Sequence, residues 1–355
     1  YHKGIRNWDI QSAWDGLRKN AFPGGIRDHA GYEHSRDKAA GGGIKYYIER
    51  GYVPEDIEGK GMHKDGASQT LEYAYQDWCL AELATSLGKN DDARLFYQRA
   101  LNYQHLWDSK LNWMHPRNKD GSWLADFTPV TDNGKAFTTK GFCEATGAIY
   151  THYVPHDPAG LINLYGGPDK YIEALNSQFE KGQEHRFVAP VGNHGMAWID
   201  YSNQPSTGMA QLFNFAGAPW LSQKWVRLVM DSVFSDITPA NGYHGDEDQG
   251  MMGSVAALMA IGLFDEQGGA SQKPTYQLSA PVFDEVTIKL DPAYYTGKEF
   301  KIIAHNAGPE NVYIQSAKLN GKPLNTFWFY HQDLVNGGVL ELELGPAPNK
   351  KWGIK

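Results

Sequence analysis

Apolar residues recur at helical spacing from the start of the chain to about residue 270, and beyond that point they alternate with polar ones. Ile10, Ala13, Trp14 and Leu17 predict a helix over 9–20, stopped by Phe22-Pro23-Gly24-Gly25. A second helix is expected over 44–50, with a stop at Gly51. A long one should follow over 71–87, capped by Ser68 or Thr70 and ended by Gly88. The connection to the next helix, over 91–107, is short, so the two should run antiparallel. Turn residues and aromatics then fill 112–127, a non-helical excursion of the kind that often carries function. Helical spacing resumes over 143–153, 158–165, 168–180, 206–215, 222–234 and 251–263.

After Gly268-Gly269 the pattern changes. Residues 282–290, 300–305, 312–319 and 339–344 alternate and are rich in β-branched side chains, so they predict strands, with Asn320-Gly321 as a hairpin turn. The expected architecture is mainly α. A helical domain over 1–270 takes the form of an (α/α)6 toroid with a central pocket, followed by a small C-terminal β-sandwich module over 271–355. The 81–106 hairpin has no second copy at a fixed period, which argues against a solenoid of identical repeats.

Composition narrows the function. A formal net charge of -8 disfavours nucleic acid as the partner and suits a small neutral ligand. The 11 Trp and 20 Tyr offer flat apolar faces with polar edges, which suit sugar rings as well as a core. Cys79 and Cys143 stand in apolar helical patterns rather than in spaced pairs, so buried thiols are expected, and neither a disulfide framework nor a zinc site. No apolar run approaches the ~20 residues that span a bilayer. The chain opens on Tyr1 without a leader, which reads as a start inside a longer product.

The chemistry-bearing residues gather in a few places. Asp246, Glu247 and Asp248 lie between Gly245 and Gly250, directly before the apolar 251–263 helix. Either they cap that helix at the surface or they line a cavity beside its N-terminus. Glu144 is isolated in Lys140-Gly141-Phe142-Cys143-Glu144-Ala145-Thr146-Gly147, where small and apolar neighbours disfavour a charged carboxylate, as a general acid requires. The other reading pairs Glu144 with Lys140 at a helix start. Together with Asp246 and Asp248 it forms the equipment of glycoside hydrolysis: one acid protonates the leaving oxygen, and one carboxylate activates water or attacks. Between these acids, the amides in Tyr201-Ser202-Asn203-Gln204-Pro205-Ser206 and Asn214 are hard ligands of the sort calcium takes, although a helix cap at Ser206 explains the segment equally well. His156-Asp157 is either a polar pair at a pocket rim or, through Asp157, the cap before Pro158. Phosphate-cradling glycine motifs, nucleophile elbows and HExxH are absent from the sequence.

With these residues in view, the chain resembles the calcium-dependent exo-α-mannosidases of glycoside hydrolase family 92. The resemblance is carried by Thr70-Leu71-Glu72-Tyr73-Ala74-Tyr75-Gln76-Asp77-Trp78, Arg117-Asn118-Lys119-Asp120-Gly121-Ser122-Trp123, Asn214-Phe215-Ala216-Gly217-Ala218-Pro219-Trp220 and Gly245-Asp246-Glu247-Asp248-Gln249-Gly250. It implies an (α/α)6 toroid packed against β-structure, and release of terminal α-linked mannose from glycans with inversion. By position it implies Glu144 as general acid, Asp248 with Asp246 as general base, Ca2+ held with Asn203 and Gln204, and substrate contacts from Asn203, Glu72 and Arg117.

Three departures accompany the resemblance. The family's N-terminal β-sandwich and first barrel helices have no counterpart before Tyr1, so that domain of the same protein is an expected partner. Tyr201-Ser202 stands where α1,2-cleaving members tend to carry His-Glu, and Thr207-Gly208 replaces a common His pair. A non-catalytic sugar-binding or scaffold protein on a degenerate hydrolase fold is the alternative reading. Glycan foraging, together with the lack of any Asn-x-Ser/Thr sequon, suggests a periplasmic, cell-surface or secreted bacterial protein.

Overall fold

The computed structural model describes residues 1–28, 43–57, 65–131, 139–190, 193–236, 238, 242 and 250–354. They form two compact units. One comprises Arg6–His156 and Ala189–Trp198; the other comprises Tyr1–Ile5, Asp157–Val188 and Ile199–Lys355.

In the first unit the helices fall close to their expected places. Ile10–Asn20 starts at Asp9, whose carboxylate accepts the backbone N–H groups of Gln11 and Ser12, both at 3.0 Å. Ile44–Arg50 ends on Gly51 in the left-handed region. The long helix runs Gly66–Ser86, starting five residues earlier than expected, so Ser68 and Thr70 lie inside it rather than capping it. Each turns its hydroxyl back on the backbone. Thr70 donates to the Gly66 carbonyl at 2.7 Å and accepts the Val53 N–H at 2.9 Å, which satisfies both groups without a cap. Glu55 takes over part of the capping by accepting the Gly66 N–H at 3.2 Å.

The long helix is buried on almost every side, and Asp77 on it is fully buried. Its carboxylate is held by Arg27 at 2.8 Å and Arg99 at 2.6 Å, so the charge is matched inside the core. Asn90–Ala100 packs back on the helix as expected, but its last turns tighten into a 3-10 segment, Leu101–Leu106. Residues 112–127 are non-helical, and the one ladder there joins Trp107–Asp108 to Trp113–Met114.

In the second unit, Pro158–Leu164, Pro168–Gln183, Pro219–Val233 and Met251–Ile261 match expected helices. Asp157 caps the first of them, its carboxylate accepting the Gly160 N–H at 2.8 Å, so the capping reading of that residue holds. The Trp225 ring stacks on Phe179 with centroids 5.2 Å apart and donates its indole N–H to Asn176, tying two helices together. The segment expected to be a helix over 206–215 is instead a series of short turns, Gln204–Ser206, Met209–Gln211 and Leu212–Phe215.

The C-terminal strands form two sheets. The larger has the order Glu285–Lys289, Glu299–His305, Gly338–Gly345, Tyr313–Leu319, Lys322–Pro323, and only Gly338–Gly345 against Glu299–His305 is parallel. Asn320 (φ 50°) and Gly321 (φ 75°) make the expected hairpin turn with two left-handed residues. The smaller sheet, Leu263–Phe264, Thr275–Leu278 and Trp328–Tyr330, was not anticipated because its strands are short and carry no clear alternation. Leu278, Phe300, Ile302, Ile314, Phe329, Leu340 and Leu342 form one apolar core that draws on both sheets, with Phe300 stacked on Phe329.

Candidate active site

Glu144 sits in a loop closed on itself and pinned to the N-terminus of the Gly66–Ser86 helix. The Thr139 N–H donates to the Ala145 carbonyl at 3.1 Å, and the Thr139 hydroxyl accepts the Gly147 N–H at 2.8 Å. Helix N-termini leave N–H groups without intrahelical acceptors. Here the Gly141 carbonyl accepts those of Ala67 and Ser68, each at 3.1 Å, while the Ser68 hydroxyl accepts the Cys143 N–H. Gly141 has φ +92°, and a Cβ there would lie 2.4 Å from Pro116, so the loop requires a glycine.

Glu144 itself has φ +51°, a left-handed conformation rare for this residue type and costing about 1 kcal/mol or more. This break, with Thr146 capping the following turn through the Ile149 N–H, cuts the helix expected over 143–153 to Gly147–Tyr150. Glu144 is half-buried, and its chain neighbours Phe142, Ala145 and Thr146 are buried.

Two other carboxylates share this part of the unit. Glu72 is half-buried and accepts the Tyr153 hydroxyl at 3.2 Å; burial pushes its carboxyl up to about 7, against which the Tyr153 bond acts. The Cys143 thiol is pushed up to about 12, first by burial and then by the charges of Asp65 and Glu144. Tyr150 is raised by burial, then by Glu72, Cys143, Asp65 and Glu144, so these groups act on one another within a single electrostatic neighbourhood. Both cysteines are free thiols, half-buried. Among the described residues no three His, Cys, Asp or Glu side chains come together to hold a metal ion.

Arg117 is presented by an aromatic stack. Its guanidinium lies 3.9 Å from the Trp123 ring centre, Trp123 stacks on His115 at 5.0 Å, and His115 stacks on Phe127 at 4.4 Å. The His115 ring is locked by Asp108 at 3.0 Å and the Leu124 carbonyl at 2.8 Å. Arg117 Nε is buried and has no hydrogen-bond partner among the described residues. The aromatics of 112–127 pointed to a non-helical excursion that carries function, and the resemblance named Arg117; that the rings stack beneath its guanidinium was not part of either expectation.

Asn203 and Gln204 belong to the other unit. Asn203 is 1% exposed, and its side-chain oxygen accepts the Gln204 N–H at 2.9 Å. Ser206 accepts the Asp200 N–H at 3.0 Å instead of capping a helix, and Asp200 takes both the N–H and the hydroxyl of Ser202. Nearby in sequence, Asn214 donates to Gln211 at 2.9 Å, while its own buried oxygen has no partner among the described residues. These are the neutral, hard oxygens a calcium ion takes. Asp246 and Asp248 lie outside the described residues.

Glu266 was not anticipated. It is buried with one carboxylate oxygen unpartnered among the described residues, and burial, then the neighbouring Asp265, raises it well above the ordinary range. Its other oxygen stands 2.6 Å from where a Cβ of Gly208 would be.

The sequence model of the Glycosyl hydrolase family 92 catalytic domain matches residues 1–346. The chain belongs to glycoside hydrolase family 92. A family 92 α-mannosidase from Bacteroides thetaiotaomicron superposes on it with a TM-score of 0.79 and 27% identity, covering 100% of this chain and 42% of that one. A family 92 inverting mannosidase of the same organism gives 0.79 and 29%, over 99% and 45% of the two chains. An "Uncharacterized secreted glycosidase" of Arthroderma benhamiae is 32% identical over 339 residues, 88% of this chain and 40% of its own length. This family 92 chain thus spans about two fifths of the curated relative it matches. Its fold class is the one the resemblance implied, mainly helical, of the (α/α) toroid type, with a C-terminal β-module.

Proposed function

We propose that this chain carries the acid-base machinery of an exo-acting, inverting α-mannosidase that removes terminal α-linked mannose from glycans. The observation that supports this most is the setting of Glu144: a non-glycine residue held in a left-handed conformation by a loop anchored at both ends, in the same electrostatic neighbourhood as Glu72, whose carboxyl burial pushes up to about 7. Glu144 is the general acid that protonates the departing oxygen. Asp248, with Asp246, deprotonates the attacking water, and Arg117 and Glu72 contact the sugar.

Asn203 and Gln204 are the ligands we assign to a calcium ion, which would bind the mannose and help distort its ring; the oxygens in their segment are of the right kind. A mannosidase among the similar structures is in complex with mannoimidazole, which agrees with a mannose-shaped pocket in the family. The curated relative is named a secreted glycosidase, and among the described residues no helix is long and apolar enough to cross a membrane; both accord with a secreted, periplasmic or cell-surface enzyme.

The test is the leaving group. General acids contribute typically 10²–10⁴-fold, and most where the leaving oxygen is basic. Glu144→Gln should therefore lower kcat/KM on an alkyl α-mannoside by about that factor and on an activated aryl α-mannoside far less. Equal losses on both would remove Glu144 from the acid role. For calcium, a chelator should abolish turnover and lower the unfolding temperature, with both restored by added Ca2+. An unchanged rate and melting temperature would remove the metal.

A further inference from the structure

In the second unit, well apart in sequence from Glu144, a cavity of about 410 Å3 is lined by His2, Gln272, Lys273, Tyr330, Gln332 and Asp333, among others. That volume lies in the lower part of the ~300–1,000 Å3 range typical of small-molecule sites. Part of its wall is the Trp328–Tyr330 strand and the His331–Val335 helix that follows it, and the rest is the loop carrying Gln272 and Lys273. Tyr330 ends the Trp328–Tyr330 strand, pairs with Thr275, and donates its N–H to Asp333 across the first turn of the His331–Val335 helix. His331 is fixed as one tautomer: it accepts the Tyr276 hydroxyl on Nδ1 and donates from Nε2 to the Lys3 carbonyl, at 3.1 and 3.2 Å.

Tyr330 is 41% exposed, although Trp328 packs edge-on against its ring with centroids 4.9 Å apart. Around it stand amides (Gln272, Gln332), the imidazoles of His2 and His331, one carboxylate and one ammonium. The two charges offset each other, which fits neither an anion nor a cation. A flat apolar face ringed by donors and acceptors fits a neutral ligand with one apolar face and many hydroxyls.

We propose that this cavity is a second saccharide site that binds a neutral hexopyranose, its ring laid against Tyr330. Such a site would hold another sugar residue of a glycan, separately from bond cleavage. It does not depend on the assignment of Glu144.

The experiment is a titration of the 355-residue chain carrying Glu144→Gln, with a chelator present, using methyl α-mannopyranoside, methyl α-glucopyranoside and inorganic phosphate, read by saturation-transfer NMR. At least one hexoside should bind and phosphate should not displace it. Tyr330→Ala should weaken that binding tenfold or more, Tyr330→Phe should preserve it, and Gln332→Ala, which leaves the ring in place, should weaken it severalfold. Hydrolysis of an aryl α-mannoside by Tyr330→Ala, with Glu144 intact, should be unchanged. No hexoside binding, equal binding by the Glu144→Gln chain with and without Tyr330→Ala, or displacement by phosphate would overturn the proposal. Because binding is read with the acid removed, these outcomes are independent of whether the chain is a mannosidase.

Discussion

Glu72 is where burial has its clearest chemical consequence. An unfolded glutamate titrates near ~4.3, whereas burial moves Glu72 to about 7, so between those values the folded chain keeps a proton that the unfolded chain has released. The sign follows: the contribution to stability is complete below the unfolded value and is lost as pH rises through about 7. Thermal melts of the Glu72→Gln variant should therefore fall less between pH 5 and pH 8 than those of the wild type; parallel curves would contradict the raised carboxyl. In sequence, Glu72 was visible only as a member of a matching block, because its partner Tyr153 is 81 positions away and helical spacing alone gives no depth of burial. Glu144 was legible as an isolated acid among small residues. Its left-handed backbone was not, since that conformation is imposed by hydrogen bonds to Ser68 and by Gly141 meeting Pro116.

Among the elements, those with strong punctuation were read well. Asp9, Gly51, Pro158 and the pair Asn320-Gly321 each ended or began a segment where expected, because one residue alone decides the local backbone. The misread ones are decided by tertiary contacts. The 206–215 segment has the apolar spacing of a helix, yet it breaks into turns around buried polar groups such as Asp200, Ser206 and Asn214. Gly208 belongs to that segment with φ in the ordinary helical range, so its lack of a side chain answers to space rather than to backbone freedom. The space is taken by Glu266. Gly208→Ala should cost about 1–3 kcal/mol in chemical denaturation, the range of overpacked core sites. In a Glu266→Ala background the same change should cost less than about 0.5 kcal/mol. Equal costs in both backgrounds would show that the carboxylate is not what excludes a side chain at 208.

At the scale of the whole molecule, the mainly helical class and the C-terminal strands followed from a change in apolar period near residue 270, and the family followed from blocks of residues kept in order over nearly the full chain. The five-stranded sheet was legible because its strands alternate, while the three-stranded sheet was not, because strands of two to four residues hold too few positions to show a period. The proposed roles fall on residues far apart in the chain: Glu144 as proton donor, Asp248 with Asp246 as base, and Asn203 and Gln204 as calcium ligands. What unites them is single displacement at the anomeric carbon, in which water enters opposite the departing oxygen. The most direct measurement is time-resolved ¹H NMR of the anomeric proton during hydrolysis of an aryl α-mannoside by the enzyme that contains this chain. β-Mannose should appear first, with the α-anomer following only by mutarotation. α-Mannose as the first product, or no mannose released, would contradict the account.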